Sequence, residues 1–364
     1  MRFFQAEIIR CAVQERTVAL HPYQGGVMAV QTPEWNLVHF LMEARELAAS
    51  VTRSQAELFR IASRSGEAAL RPTDLGKRFL STVVESVHAR GLLRPGHKVD
   101  PLVALLFEEC DRRGIGMAWV GGGPRSADMM MSAADSLNGC VNAIRRKAKR
   151  MDFKAKSNRW SEAVKNRFSE LTSYFEALAD AYPASRVARI DFSFWPTQWG
   201  LLPSDQGIDD AIAAQWRVLL SHIAEKIGPS MVGHAWKRDY GVTRGTVFHL
   251  VLVVDGPREH DLDALVQGLM WEWQARITGG QGICFNCLSA AGSPFSVRGG
   301  LPILEFHPGG LANVLHNAAA YLSLGDYVLS HDGAGRSPRQ GQGVLPFSEQ
   351  ASSRERGPWP FLAS

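Results

Sequence analysis

Long apolar runs are missing from this sequence. No window holds the roughly 18 or more apolar residues that a membrane-spanning helix needs, so no transmembrane segment is expected. The first residues carry Glu7 and Arg10 where a secretion signal would be apolar, so no signal peptide is expected either. Cysteine is scarce and odd in number: Cys11, Cys110, Cys140, Cys284 and Cys287. That usage points to a reducing cytoplasm and mostly buried thiols. Cys284 and Cys287 form a lone C-x-x-C without the second pair a zinc site would bring, and ordinary packing is the expectation for them. Internal repeats are also absent.

What is present is an ordinary globular composition. Apolar residues are 45% and charged residues 21% of 364, enough to bury a sizeable core. At roughly 150 residues per domain, two domains are expected. The net charge of +4 says little, but its distribution says more. Between Arg145 and Arg159 lie Arg145, Arg146, Lys147, Lys149, Arg150, Lys154, Lys156 and Arg159 against one acid, Asp152. So dense a cluster repels itself and gains from a polyanion, because phosphate contacts release counterions. A solvated helix face or linker is the plainer reading of the same run.

Periodicity divides the chain in two. Residues 1–32 read as strand-like and turn-rich. Helices are expected over Pro33–Ala49, Arg53–Arg64, Thr73–Arg90, from Asp100-Pro101 to Cys110, from Ser126 into the basic cluster, and over Trp160–Ala181, which Pro183 ends. Asp100-Pro101 pairs an N-cap aspartate with a proline at the first helical position. After Pro183 the texture changes. Arg186–Trp195, Ser230–Tyr240, Thr246–Val254 and Gly282–Ser289 read as strands, and Asp209–Ile227, Asp261–Ile277 and Leu311–Leu324 as helices. Strand-helix-hairpin-helix-strand is the order of a split ferredoxin-like (RRM-like) antiparallel sheet with helices on one face. The expected class is therefore α+β: a mainly helical region over 1–183, an α+β domain over 184–330, and a Gly-, Ser- and Pro-rich tail over 331–364 that reads as disordered.

Any chemistry of the chain is expected to centre on the hairpin from Trp236 to Gly256. If Tyr240 lies opposite Thr246, then Asp239 faces Val247, and Lys237, Asp239, Val247 and His249 share one face. A carboxylate and an imidazole projecting together supply two-thirds of a divalent-metal site. A half-buried aspartate and a core histidine with satisfied hydrogen bonds fit the same pattern.

The segments GHAWKRDYGVTRGTVFHLVLVVDG, MWEWQARITGGQGICFNC and AAAYLSLGDY, over Arg186–Leu329, resemble the inovirus-type gene II-like replication initiators of filamentous phages and prophage elements. These are relatives of the Rep endonucleases named for a His-hydrophobe-His strand. The Trp-Lys-x-acid-Tyr-Gly strand, the Thr-Gly-Gly-x-Gly turn at 278–282 and the order of elements carry the likeness. It implies a rolling-circle initiator that nicks single-stranded or hairpin origin DNA through a covalent 5′-phosphotyrosine, with Mg²⁺ or Mn²⁺ polarising the scissile phosphate. By position, Tyr321 is the nucleophile, and Asp239 and His249 are the metal ligands. Lys237 and the basic cluster are the implied nucleic-acid contacts.

The chain departs from the family twice. The first histidine of the motif falls on Val247, which cannot ligate a metal, and the lysine three residues after the tyrosine falls on Leu324. His307 and His316 are candidate replacement ligands; His234 has the wrong strand parity. Tyr327, beyond the Gly325 break, is a poorer alternative nucleophile. Tyr321 also fits as a core aromatic on its helix, and Trp271 and Trp273 fit as core and rim or as base-stacking groups. A non-catalytic Rep-like DNA-binding protein with a regulatory or assembly role is the alternative function. In the tail, Gln342, Leu345 and Phe347 resemble a bacterial sliding-clamp-binding peptide, so the host clamp or a replication helicase is a further expected partner.

Overall fold

The computed structural model describes residues 18–23, 26–31, 35–64, 67–93, 96–120, 126–195, 206–241, 245–255, 262–286, 310–331 and 340–343. The chain forms two compact units, each taken by itself below: Glu34–Ala163 with Tyr327–Ser330, and Met1–Pro33 with Val164–Asp326 and His331–Ser364. No described helix is long and apolar enough to cross a membrane.

Strands β1 (Val18–Tyr23) and β2 (Gly26–Gln31) pair as an antiparallel hairpin. The helical unit follows, with α1 (Trp35–Arg53), β3 (Phe59–Arg64), β4 (Glu67–Pro72), α2 (Asp74–Leu92), β5 (His97–Val99), α3 (Pro101–Arg112), α4 (Ile115–Val120) and α5 (Ala127–Lys149). Asp100, the start signal read from sequence, is a working cap, and Thr73 and Ser126 cap their helices in the same way. Thr73 Oγ1 accepts from Gly76 N at 3.1 Å, an Asp100 carboxylate oxygen from Leu102 N at 2.8 Å, and Ser126 Oγ from Met129 N at 3.3 Å. Leu41, Leu47 and Val51 of α1, Phe79 and Val83 of α2, Leu106 of α3 and Leu137 and Ile144 of α5 are buried in this unit.

One expected helix is wrong. Arg53–Arg64 does not continue as a helix; Phe59–Arg64 is a strand paired in register with Glu67–Pro72. Phe59 is buried and Arg60 exposed, as adjacent residues of a strand are when it covers one face. Asn138 of α5 fixes the start of the strand, its Oδ1 accepting from Phe59 N at 3.2 Å and its Nδ2 donating to Phe59 O at 2.7 Å.

The long helix α6 (Met151–Ala181) begins in the helical unit and ends in the other. The unit boundary therefore lies between Ala163 and Val164, not at 183/184 as expected. The physical reason is packing: Leu171, Tyr174, Phe175 and Leu178 bury themselves against Val187, Ala235, Val251 and Val253 of the sheet.

That sheet is built from β6 (Arg186–Phe194), β7 (Met231–Gly241), β8 (Gly245–Val254) and β9 (Gly282–Asn286), with helices α7 (Gln206–Ile227), α8 (Leu262–Trp271) and α9 (Gly310–Leu324). After β10 (Leu329–His331), a last strand, β11 (Gln340–Gln342), joins its edge, giving the order β11-β7-β8-β6-β9. All the pairings are antiparallel, and without β11 the order is that of a split ferredoxin-like sheet, so the expected α+β class holds. Helices cover both faces rather than one. On the even-numbered face Trp216 and Leu219 of α7, Leu269 of α8 and Trp273 pack against Ile190, Phe192, Phe248 and Leu250. On the odd-numbered face lie α6 and α9.

Part of the tail that read as disordered forms a strand. Gln340–Gln342 pairs with Ala235–Lys237. Gly341 permits this, because a Cβ there would come within 2.5 Å of Trp236 Nε1. The glycine content that read as disorder is what lets the strand approach the indole.

Candidate active site

Strand pairing sets the site. Asp239 pairs with Val247 and Lys237 with His249, as the hairpin parity predicts. On the other side of β8, Asp191 pairs with His249 and Ser193 with Val247. Alternation then puts Arg189, Asp191, Lys237, Asp239, Val247 and His249 on one face, under α9.

The side chains form a connected network. His249 Nδ1 lies 2.8 Å from Asp191 Oδ1 and 3.2 Å from the Tyr321 hydroxyl. His249 Nε2 lies 3.6 Å from Asp239 Oδ2. Arg189 Nη2 donates to the Tyr321 oxygen and contacts Asp191 at 3.2 Å, and its guanidinium carbon sits 3.6 Å from the Tyr321 ring centroid. The His249 and Tyr321 rings meet edge to face at 5.3 Å. Lys237 Nζ bridges Asp326 Oδ1 at 2.9 Å and Asp239 Oδ1 at 3.3 Å. Tyr321 is 4% exposed, His249 2% and Asp191 1%; a network this deeply buried must satisfy its own charges.

Tyr321, Asp239 and His249, the three residues singled out for chemistry, are thus brought together. Three others were missed. Arg189 and Asp191 lie inside the RVARIDFSF strand, and two opposite charges at alternate positions among Val187, Ala188, Ile190 and Phe192 were the available signal. Asp326 accepts from Lys237 Nζ. The Thr278–Gly282 turn is structural: Thr278 Oγ1 accepts from Gly282 N at 2.7 Å and donates to Trp273 O at 2.7 Å, while Gly279 and Gly280 take positive φ.

Other candidates fall elsewhere. His316 stacks edge to face on Phe168, and His307 lies outside the described residues. Tyr327 accepts a hydrogen bond from Arg45 Nη2 at 2.7 Å, in the helical unit. Trp273 is core, and Trp271 is exposed on α8. Cys284 is packed in the core; Cys287 lies outside the described residues. Gln342 accepts from Arg167 Nη1 at 3.1 Å, and Leu345 and Phe347 lie outside the described residues.

Compared with family models, with curated proteins and with solved structures, the chain matches none.

His234 is not in the network, as its even parity predicts. Burial lowers its pKa from 6.5 to about 4, so folding favours the neutral ring. The unfolded chain takes up a proton below pH 6.5 and the folded chain only near pH 4, so stability falls as pH drops through that window. The expected loss is on the order of 3 kcal/mol. Urea midpoints measured at pH 7 and pH 4.5 should separate more for wild type than for His234→Gln; equal separations would remove His234 as the source.

The donor set does not fit a divalent cation. Among the described residues no three His, Cys, Asp or Glu side chains converge on a cation position. Val247 offers no lone pair, and the Lys237 ammonium contacts the same Asp239 carboxylate that a metal would need.

The basic cluster in the helical unit divides by role. Arg145 is a correction: it is 7% exposed, with Nη2 donating to Ala56 O at 2.7 Å and Nε to Val51 O at 3.2 Å, where it satisfies carbonyls at and beyond the end of α1. Lys147 joins Glu109 at 2.6 Å and Glu108 at 2.9 Å, and Arg150 pairs with Asp152 at 2.9 Å. Lys237 is also a correction, being buried 3% exposed in the network. Arg146, Lys149, Lys154 and Lys156 are exposed, around the end of α5 and the start of α6. Arg145→Ala is expected to cost about 1–3 kcal/mol by orphaning those carbonyls. Thermal unfolding checks this, and Arg146→Ala, with its head in solvent, should shift the midpoint by far less.

Proposed function

We propose that this chain is a DNA strand-transfer protein of the rolling-circle initiator type, acting in the cytoplasm of a bacterial host, with Tyr321 as nucleophile. The observation that carries the reading is the environment of the Tyr321 oxygen, shared between the Arg189 guanidinium and His249 Nδ1. In the proposed step the Tyr321 oxygen attacks the scissile phosphorus. A Tyr–phosphate bond forms, the bond from phosphorus to the 3′ oxygen breaks, and the 5′ end stays on the protein. The phenolic proton passes to His249, whose two ring N–H groups then face Asp191 and Asp239, and the leaving 3′ oxygen takes its proton from solvent water. Arg189 supports negative charge as it develops on the tyrosine oxygen and the phosphate. Four exposed members of the basic cluster, Arg146, Lys149, Lys154 and Lys156, supply sequence-independent phosphate contacts.

The burial of Tyr321 favours a second reading, a Rep-like protein that binds DNA without cutting it. With Tyr321 only 4% exposed, strand transfer requires the site to open. Asp326, 25% exposed, is the network's most solvent-accessible side chain.

A labelled single-stranded origin oligonucleotide incubated with the protein, with Mn²⁺ or with EDTA, separates the two. A denaturation-resistant protein–DNA adduct that maps to Tyr321 supports strand transfer. DNA binding without adduct in either condition would leave only the second reading.

A further inference from the structure

Lys237 occupies a position that is unusual for a lysine. It points inward from the middle of a sheet, 3% exposed, with its ammonium between two carboxylates from different elements, Asp239 on β7 and Asp326 just past the end of α9. The second Asp239 oxygen faces His249 Nε2 at 3.6 Å. Two carboxylates therefore flank one ammonium, and the second oxygen of one of them faces an imidazole. Mg²⁺ or Mn²⁺ needs those same oxygens at about 2.0–2.2 Å, and an ammonium about 3 Å from them would repel the ion. The neighbouring Val247 adds no ligand that would favour the metal over the lysine.

We infer that Lys237 is a built-in replacement for a divalent cation: its ammonium supplies the positive charge beside Asp239 and His249, and the site works without bound metal. The inference rests on the strand-transfer reading for its meaning in catalysis, but not for its test. Lys237 is a positioning and charge-supplying residue here, since it reaches Tyr321 only through Asp239 and His249.

The test is a titration of the full chain with Mn²⁺, with the free ion followed by electron paramagnetic resonance. Wild type is expected to leave Mn²⁺ free up to about 1 mM. Lys237→Met, which keeps the apolar stem and removes the ammonium, leaves the Asp239 and Asp326 carboxylates without the cation between them and is expected to bind one Mn²⁺ at least about tenfold more tightly than wild type. Lys237→Gln serves as the second variant if the methionine chain does not fold. One tightly held Mn²⁺ on wild type, lost in Asp239→Asn, would overturn the inference. So would variants lacking the ammonium that hold the ion no better than wild type. DNA capture gives a separate readout. Capture that persists in EDTA supports the inference, whereas capture that needs Mn²⁺ overturns it and leaves strand transfer standing. Failure of capture in both conditions sinks strand transfer, while the Mn²⁺ titration still decides the role of Lys237.

Discussion

Tyr321→Phe is expected to reduce covalent capture of single-stranded DNA by about a thousandfold or more, because removing a nucleophile removes the covalent pathway altogether. The ring of Tyr321 packs among α9, the Arg189 guanidinium and His249, and phenylalanine preserves that packing. Only the oxygen is lost, with the Arg189 donation and the His249 contact it receives. Loss of a buried partner for a charged donor costs about 1–3 kcal/mol, so the variant should fold and remain testable. Binding of the same oligonucleotide, followed by fluorescence anisotropy, should change little, since the exposed basic side chains belong to the other compact unit. Equal capture by the variant would move the nucleophile elsewhere. Tyr327 would be next in line, although its hydroxyl is taken up by Arg45 and its ring lies 4.4 Å from the Arg45 guanidinium carbon.

The sheet and half of the site were legible because both rest on a period of two. Once Trp236–Tyr240 and Thr246–Val254 are read as a hairpin, the facing of Lys237, Asp239 and His249 follows from backbone geometry, and the observed register agrees residue for residue. Arg189 and Asp191 were harder, because their place beside His249 depends on β6 pairing with β8, a contact between residues about 60 apart that local pattern does not encode. Arg145 and Lys237 were misjudged for a common reason. Composition counts a cation as surface charge, whereas the fold can spend its donors on backbone carbonyls, as Arg145 does, or on buried carboxylates, as Lys237 does. Residues 53–64 failed through a period misread in a short apolar segment, where helix and strand differ least. The strand Gln340–Gln342 failed because glycine-rich composition was taken as a property of the segment alone, when the Trp236 indole across the pairing is what requires the glycine.

Asp191→Ala is expected to be the most damaging single change to stability in the sheet unit. Asp191 is 1% exposed and stands between a guanidinium and an imidazole, 3.2 Å from Arg189 Nη2 and 2.8 Å from His249 Nδ1. Removing one partner of a buried ion pair strands the other, at a cost of about 3–5 kcal/mol, whereas the intact pair contributes little net stability. The comparison with Asp239 sharpens the expectation. Lys237 keeps Asp326 at 2.9 Å when Asp239 is neutralised, so Asp239→Asn should cost roughly 1 kcal/mol or less. At about 2–4 °C per kcal/mol for a unit of this size, Asp191→Ala should lower the unfolding temperature of the sheet unit by on the order of 10 °C. Asp239→Asn should lower it by only a few degrees, and differential scanning calorimetry would resolve the two. A double variant, Arg189→Met with Asp191→Ala, removes both charges and should recover part of the loss, because no buried guanidinium is then left facing an apolar pocket. If Asp191→Ala alone leaves the transition unmoved, Arg189 and His249 are not held by that carboxylate. The placement of the Tyr321 oxygen between them would then need another cause.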